Sequence, residues 1–121
     1  MKSYRELEVW KRAIDLVVAV YGVSKKFPTE EKYGLQSQLR RAAVSVPANI
    51  AEGYGRKYRK EYLNHLSIAQ GSLTEMETHL IIALRLEYLN RTDLKPVWTC
   101  AQEVGKMLQK LRVVLSSPSD Q

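Results

Sequence analysis

The ten residues from Ala42 to Ala51 carry no charge, yet they include Ser45, Pro47 and Asn49 and run directly into Glu52. A segment with no charged side to turn toward water is expected to be covered on more than one face, by its own fold or by another subunit. Pro47 has no amide hydrogen to donate and disfavours helical geometry at Val46, so a helix through this stretch is expected to kink or restart. The small residues Ala42, Ala43, Ala48 and Ala51 let a neighbouring helix approach closely.

The remaining sequence supplies the neighbours. Apolar residues recur at alternating steps of three and four, which places them on one stripe of a helix. The stripes are Leu7, Trp10, Ile14, Val17 and Tyr21; Leu35, Leu39, Ala42, Val46 and Ile50; Tyr62, Leu66, Ala69, Leu73, Met76, Leu80 and Ala83; and Leu94, Val97, Ala101, Val104, Leu108, Leu111 and Leu115. Four helices follow, at about 6–26, 30–53, 56–89 and 93–115, with a polar tail over 116–121 that is expected to fray. Phe27-Pro28 stops the first helix, Thr29 caps the second, Gly53 and Gly55 end it, and Thr92 or Asp93 caps the fourth. Short connections between amphipathic helices favour an all-α, antiparallel, up-down-up-down four-helix bundle in a single domain. No strand candidate stands out.

A chain of 121 residues with 45% apolar content is enough for one core. The single cysteine, Cys100, excludes an internal disulfide and any cysteine-based metal cluster. With no secretory signal and no apolar run of membrane-spanning length, the reading is a cytoplasmic protein. A formal net charge of +6 and a pI near 9.5 lean toward anionic partners.

The run from Gln38 to Gly53, followed by Gly55-Arg56, resembles the signature of the small bacterial four-helix bundle proteins encoded in intervening sequences of 23S ribosomal RNA genes, the S23 family. Leu7-Glu8-Val9-Trp10, Phe27 to Glu31 with Tyr33-Gly34-Leu35, and Ala69 to Glu75 match as well, so the resemblance spans about Tyr4 to Tyr88. It implies a helical bundle that assembles as a ring-like homopentamer. It also implies kinship with accessory proteins of diversity-generating retroelements, which bind nucleic acid and a reverse transcriptase. It carries no established biochemical activity.

Charge placement singles out one helix start. Glu6 and Glu8, Glu30 and Glu31, and Asp93 open the first, second and fourth helices as the helix dipole prefers. The third opens instead with Arg56, Lys57, Arg59 and Lys60, a conflict of about 0.3–1 kcal/mol for each exposed cation that a bound phosphate would relieve. Tyr54 and Tyr58 lie among these cations and offer rings for unpaired bases. With Arg40 and Arg41 they make the candidate surface for RNA or DNA. The competing reading is a solvated face, paired with Glu52, Glu61 or a neighbouring subunit's acids.

Asn49, Glu52, Ser72 and Glu75 are polar residues in apolar surroundings. They read either as a ligand pocket or as a buried hydrogen-bond network, joined by Arg41, that fixes helix register or subunit contacts. Heptad phase places His65 and His79 on the surface, and roughly 21 Å along the axis separates them, too far to share a metal. Neither has a glutamate three residues before it, so the di-iron bundle pattern is absent. Gly53-x-Gly55 lacks the rest of a dinucleotide fingerprint, and there is no Walker lysine motif. Cys100 reads as a small packed residue, and Trp10 and Trp98 as core or interface anchors.

The sequence thus points to a non-enzymatic homo-oligomer without cofactor or metal that binds RNA or DNA as an accessory factor. The alternative is a structural or protein-interaction module contacting an acidic partner such as a reverse transcriptase or a ribosomal component.

Overall fold

The computed structural model describes residues 3–117. It contains α1 (Glu8–Ser24), α2 (Leu35–Tyr54), α3 (Arg59–Arg85) and α4 (Arg91–Leu115), with single 3-10 turns at Tyr4–Glu6 and Thr29–Glu31. No strand occurs among the described residues. Residues 118–121 of the segment expected to fray lie outside them.

Each helix packs on two others in a cycle, α1 against α2 and α4, and α3 against α2 and α4. Cross-helix pairs fix the directions. Ser72 reaches Ser45 and His65 reaches Asn49, so α2 and α3 run antiparallel. Arg12 reaches Glu103 while Lys26 reaches Asp93, so α1 and α4 do too. The result is an up-down-up-down bundle. One end holds the α2–α3 connection, and the other holds the α1–α2 and α3–α4 connections.

The expected stripes of α2, α3 and α4 supply most of the core: Leu39, Ile50, Leu66, Met76, Leu80 and Leu108 have no accessible surface. Each such side chain contributes roughly 1.5–3 kcal/mol of apolar burial. The stripe expected on α1 is displaced. Its inward seam is Val9, Ala13, Leu16, Val20 and Val23, whereas Ile14 and Tyr21 are exposed and Leu7, Trp10 and Val17 sit on the flank. Both sets of positions are apolar and spaced for a helix. Ala13 at the centre of the true seam permits the close approach that a larger residue would block.

Ala42, Ala43, Val46, Pro47 and Ile50 are buried, so the charge-free stretch is covered on two flanks, while Val44 and Ala48 face outward. α2 continues through Pro47 without restarting. The missing amide hydrogen removes the bond to the Ala43 carbonyl and costs about 3 kcal/mol or more. Burial of the residues around it offsets that cost.

Helix ends also depart from expectation. α2 begins at Leu35 rather than near Glu30, because Thr29–Glu31 forms a separate turn capped by Pro28. The Glu31 carboxylate still serves α2, since its Oε1 accepts from the Leu35 amide at 3.0 Å. α4 is capped by Asn90, not Thr92 or Asp93. The Asn90 side chain accepts from the Asp93 amide, and the Asp93 carboxylate accepts from the Asn90 amide, a reciprocal capping box. α3 stops at Arg85, short of residue 89. Glu87 takes a left-handed φ of 63°, the Tyr88 amide bonds back to the Ala83 carbonyl, and the Glu87 amide bonds to Leu84. This is a Schellman ending with glutamate where glycine is the usual residue.

Candidate nucleic-acid interface

The candidate residues fall into three separate places. Arg40 belongs to the packing of α1 on α2. Its Nε donates to the Ser24 hydroxyl at 2.8 Å, one terminal nitrogen reaches the Tyr21 carbonyl at 3.3 Å, and the guanidinium lies 4.4 Å from the Tyr21 ring centroid. A cation over the last carbonyls of α1 complements that helix's dipole. Arg40 is therefore structural, and fifteen residues of α2 and its connection separate it from Arg56.

Arg41 faces the other side of α2. It lines an open cleft of about 410 Å³ between α2 and α3 with Tyr33, Ser37, Gln38, Ser45, Ser72 and Glu75. The remaining cations gather at the α2–α3 connection. Arg56 and Lys57 lie in the connection itself, Tyr58 is the N-cap of α3, and Arg59 and Lys60 occupy its first turn. The expected crowding of four cations on a helix start is thus reduced to two, with Glu61 beside them. Arg56 is held by Glu52, one turn back, at 2.6 Å. Lys57 sits 5.5 Å from the centroid of the Tyr58 ring.

The two tyrosines differ. Tyr58 is 61% exposed and can meet a base. Tyr54 is half-buried and packs edge-on against Tyr62, with centroids 6.1 Å apart, so its ring is used inside the protein. Burial, with a smaller contribution from Tyr54, raises the Tyr62 phenol above its ordinary pKa. Gly53 does more than mark a turn. It is buried inside α2, where a Cβ would lie 2.8 Å from His65 Cβ and 3.0 Å from Tyr62 Cδ1, while Gly55 caps the helix.

The polar network exists with a different membership. Asn49 Nδ2 donates to the Ser45 carbonyl at 2.9 Å and to the Ser45 hydroxyl at 3.0 Å. The Ser72 hydroxyl donates to Ser45 Oγ at 2.9 Å, and His65 Nδ1 lies 3.0 Å from Asn49 Oδ1. Glu52 and Glu75 stand outside it, Glu52 on Arg56 and Glu75 at 3.5 Å from His79 Nε2. Sequence reasoning missed Ser45 and His65. The available signal was spacing: Ser45 precedes Asn49 by one turn, and His65 precedes Ser72 by two.

Both histidines are less exposed than expected. His65 is half-buried, and His79 is only 8% exposed. Among the described residues no three histidine, cysteine or acidic side chains come together to hold a metal. Cys100 is buried, its thiol donating weakly to the Arg12 carbonyl at 3.8 Å. Burial raises its pKa, which works against a thiolate nucleophile. No described helix is long and apolar enough to cross a membrane.

A crystal structure of a protein of unknown function from the S23 ribosomal protein family of Bacteroides thetaiotaomicron superimposes with a TM-score of 0.79 at 23% identity. The match covers 90% of this chain and 99% of that one, and it shows the shared fold. None of the curated proteins matches this sequence. The sequence profile of the 23S rRNA-intervening sequence proteins matches residues 5–110. With nearly the whole bundle inside that match, the chain belongs to the 23S rRNA-intervening sequence protein family.

Proposed function

We propose that this protein is a non-enzymatic, self-associating helical bundle that binds RNA or DNA through the α2–α3 connection. The observation that carries the reading is four cations in the five residues Arg56 to Lys60, on an exposed connection and first turn, with an exposed tyrosine between them. Over residues 52–61 these four cations stand against two carboxylates, Glu52 and Glu61. The surplus attracts a phosphate backbone without selecting a sequence.

Self-association is supported by apolar surface on opposite flanks of the bundle. Ile14, Val18 and Tyr21 of α1 are exposed beside Val44 of α2. Across the bundle, Ile81, Leu84, Leu94 and Trp98 line a groove between α3 and α4. Two unlike patches suit head-to-tail contacts, which form a ring where the rotation between subunits closes. A ring repeats the basic connection once per subunit and multiplies its effective field.

Filter binding with structured RNA, a single strand and a duplex across a salt series tests the reading. Affinity falls steeply with salt for all three and is largely lost on combining Arg56→Glu with Lys57→Glu. Binding that ignores this double substitution overturns the placement. The Glu52–Arg56 pair favours a second reading, in which the connection contacts an acidic protein. Salt-sensitive capture of polyglutamate with no retention of any nucleic acid would select it.

A further inference from the structure

We propose that His65 is a proton-coupled phosphate ligand in a pocket beside the basic connection, oriented by Asn49. The inference rests on the nucleic-acid reading and names the group within it that grips a phosphodiester.

The argument begins with the Asn49 amide. Its nitrogen faces the Ser45 carbonyl and hydroxyl oxygens at 2.9 and 3.0 Å. A flipped amide would set two oxygens against each other at the carbonyl, so the nitrogen belongs there and Oδ1 faces His65. Across 3.0 Å that oxygen can only accept, and His65 Nδ1 must carry the hydrogen. In the neutral ring Nε2 then holds the lone pair. It has no protein partner among the described residues.

His65 lines an open pocket of about 380 Å³ with Arg56, Lys60, Glu61 and Asn64. A guanidinium, an ammonium, an amide and an imidazole around one space form a donor set for phosphate oxygens. Two acids stand near it: Glu52, from α2, holds Arg56, and Glu61 lines the pocket beside Lys60. Lys57, Tyr58 and Arg59 stand at the same end of α2 and α3, where Tyr54 and Tyr62 pack edge-on against each other. A phosphodiester entering the pocket sets a negative charge beside the imidazole, and a nearby opposite charge favours the protonated ring. Protonation of His65 at Nε2 supplies the matching positive charge and a further N–H donor, while Nδ1–H stays on Asn49. The proton comes from solvent, and no bond in the ligand is made or broken.

The sign follows by linkage: if binding takes up a proton, affinity rises as pH falls. The test is fluorescence anisotropy of the full-length protein with a short single-stranded RNA at constant ionic strength, at about pH 8 and about pH 5.5, the interval in which histidines change charge. Wild type is expected to bind about three- to tenfold more tightly at the lower pH, the span of up to one unit of coupling. His65→Gln removes that gain, and Asn49→Ala reduces it by releasing the ring. His79→Gln, at the buried histidine beside Glu75, keeps it. In an imidazole 15N spectrum, RNA shifts the Nε2 resonance of His65 toward the protonated position. A pH gain that survives His65→Gln overturns the proposal. RNA binding that is lost with Arg56→Glu and Lys57→Glu but is flat with pH also overturns it, and leaves the nucleic-acid reading standing. No binding of this RNA at either pH overturns the proposal, and the same result with duplex DNA overturns the nucleic-acid reading as well.

Discussion

The two ends of the bundle use their polar residues differently. At the end holding the α1–α2 and α3–α4 connections, side chains are tied to backbone and to one another. Arg40 and Gln36 bond to Ser24 and Tyr21, the Tyr88 hydroxyl donates to Glu31 at 2.8 Å beneath its contact with Phe27, and Lys26 reaches Asp93 at 2.8 Å within the α4 cap. At the α2–α3 end, Arg56 is tied to Glu52 in a solvent-exposed pair. Equal charges therefore have unequal roles. Arg40 closes a helix terminus, while Lys57 and Lys60 remain turned to solvent. Basic residues read as one patch along the chain separate into scaffold and surface once the helices reverse direction.

The largest effect expected from breaking this contrast is at Gly53, where the loose end is nonetheless tightly packed. Gly53→Val drives side-chain atoms into His65 and Tyr62 and is expected to cost about 1–3 kcal/mol, read as a lower midpoint in urea. Next is the comparison of the two cations. Arg40→Ala removes the charged donor to Ser24 Oγ and to the Tyr21 carbonyl, leaving only the Ser24-to-Tyr21 bond, an expected loss of about 1–3 kcal/mol, whereas Lys57→Ala stays within about 0.5 kcal/mol. Equal losses in thermal melts of the two variants would erase the distinction between the ends.

The smallest effect is in acid. The Leu35 amide, and then the Tyr88 hydroxyl, hold Glu31 below the ordinary carboxylate range. A depressed carboxylate gives stability that is present above its unfolded pKa and lost as pH falls through the folded one. Melting temperatures taken from neutral pH down through the carboxylate range should fall less steeply for Glu31→Gln than for wild type. Parallel slopes would show that this tie is not what closes the stitched end.

The helices were legible because their stripes repeat for many turns, and the stripes of α2, α3 and α4 landed where spacing put them. α1 was misphased because Leu7, Trp10, Ile14, Val17 and Tyr21 compete with an equally apolar set one step away. Which set turns inward depends on how closely α2 and α4 can approach Ala13. Helix ends slipped for a related reason. Asn90, Glu31 and Glu87 act through side-chain bonds and one left-handed residue that depend on what lies across the connection. In the candidate site, Asn49 and Ser72 were visible as polar residues on apolar flanks, but Ser45 looked like part of the covered stretch and His65 like surface.

The sequence by itself determined the class of fold, the family and the presence of a basic segment next to a charge-free one. These depend on local spacing and composition, which survive without knowing what touches what. Only the tertiary structure decided that Arg40 is committed to α1 and that His65 is fixed by Asn49 at the edge of a polar pocket. Hydrogen bonds and ion pairs act over about 3 Å, and residues sixteen positions apart come within that reach only when antiparallel helices pack.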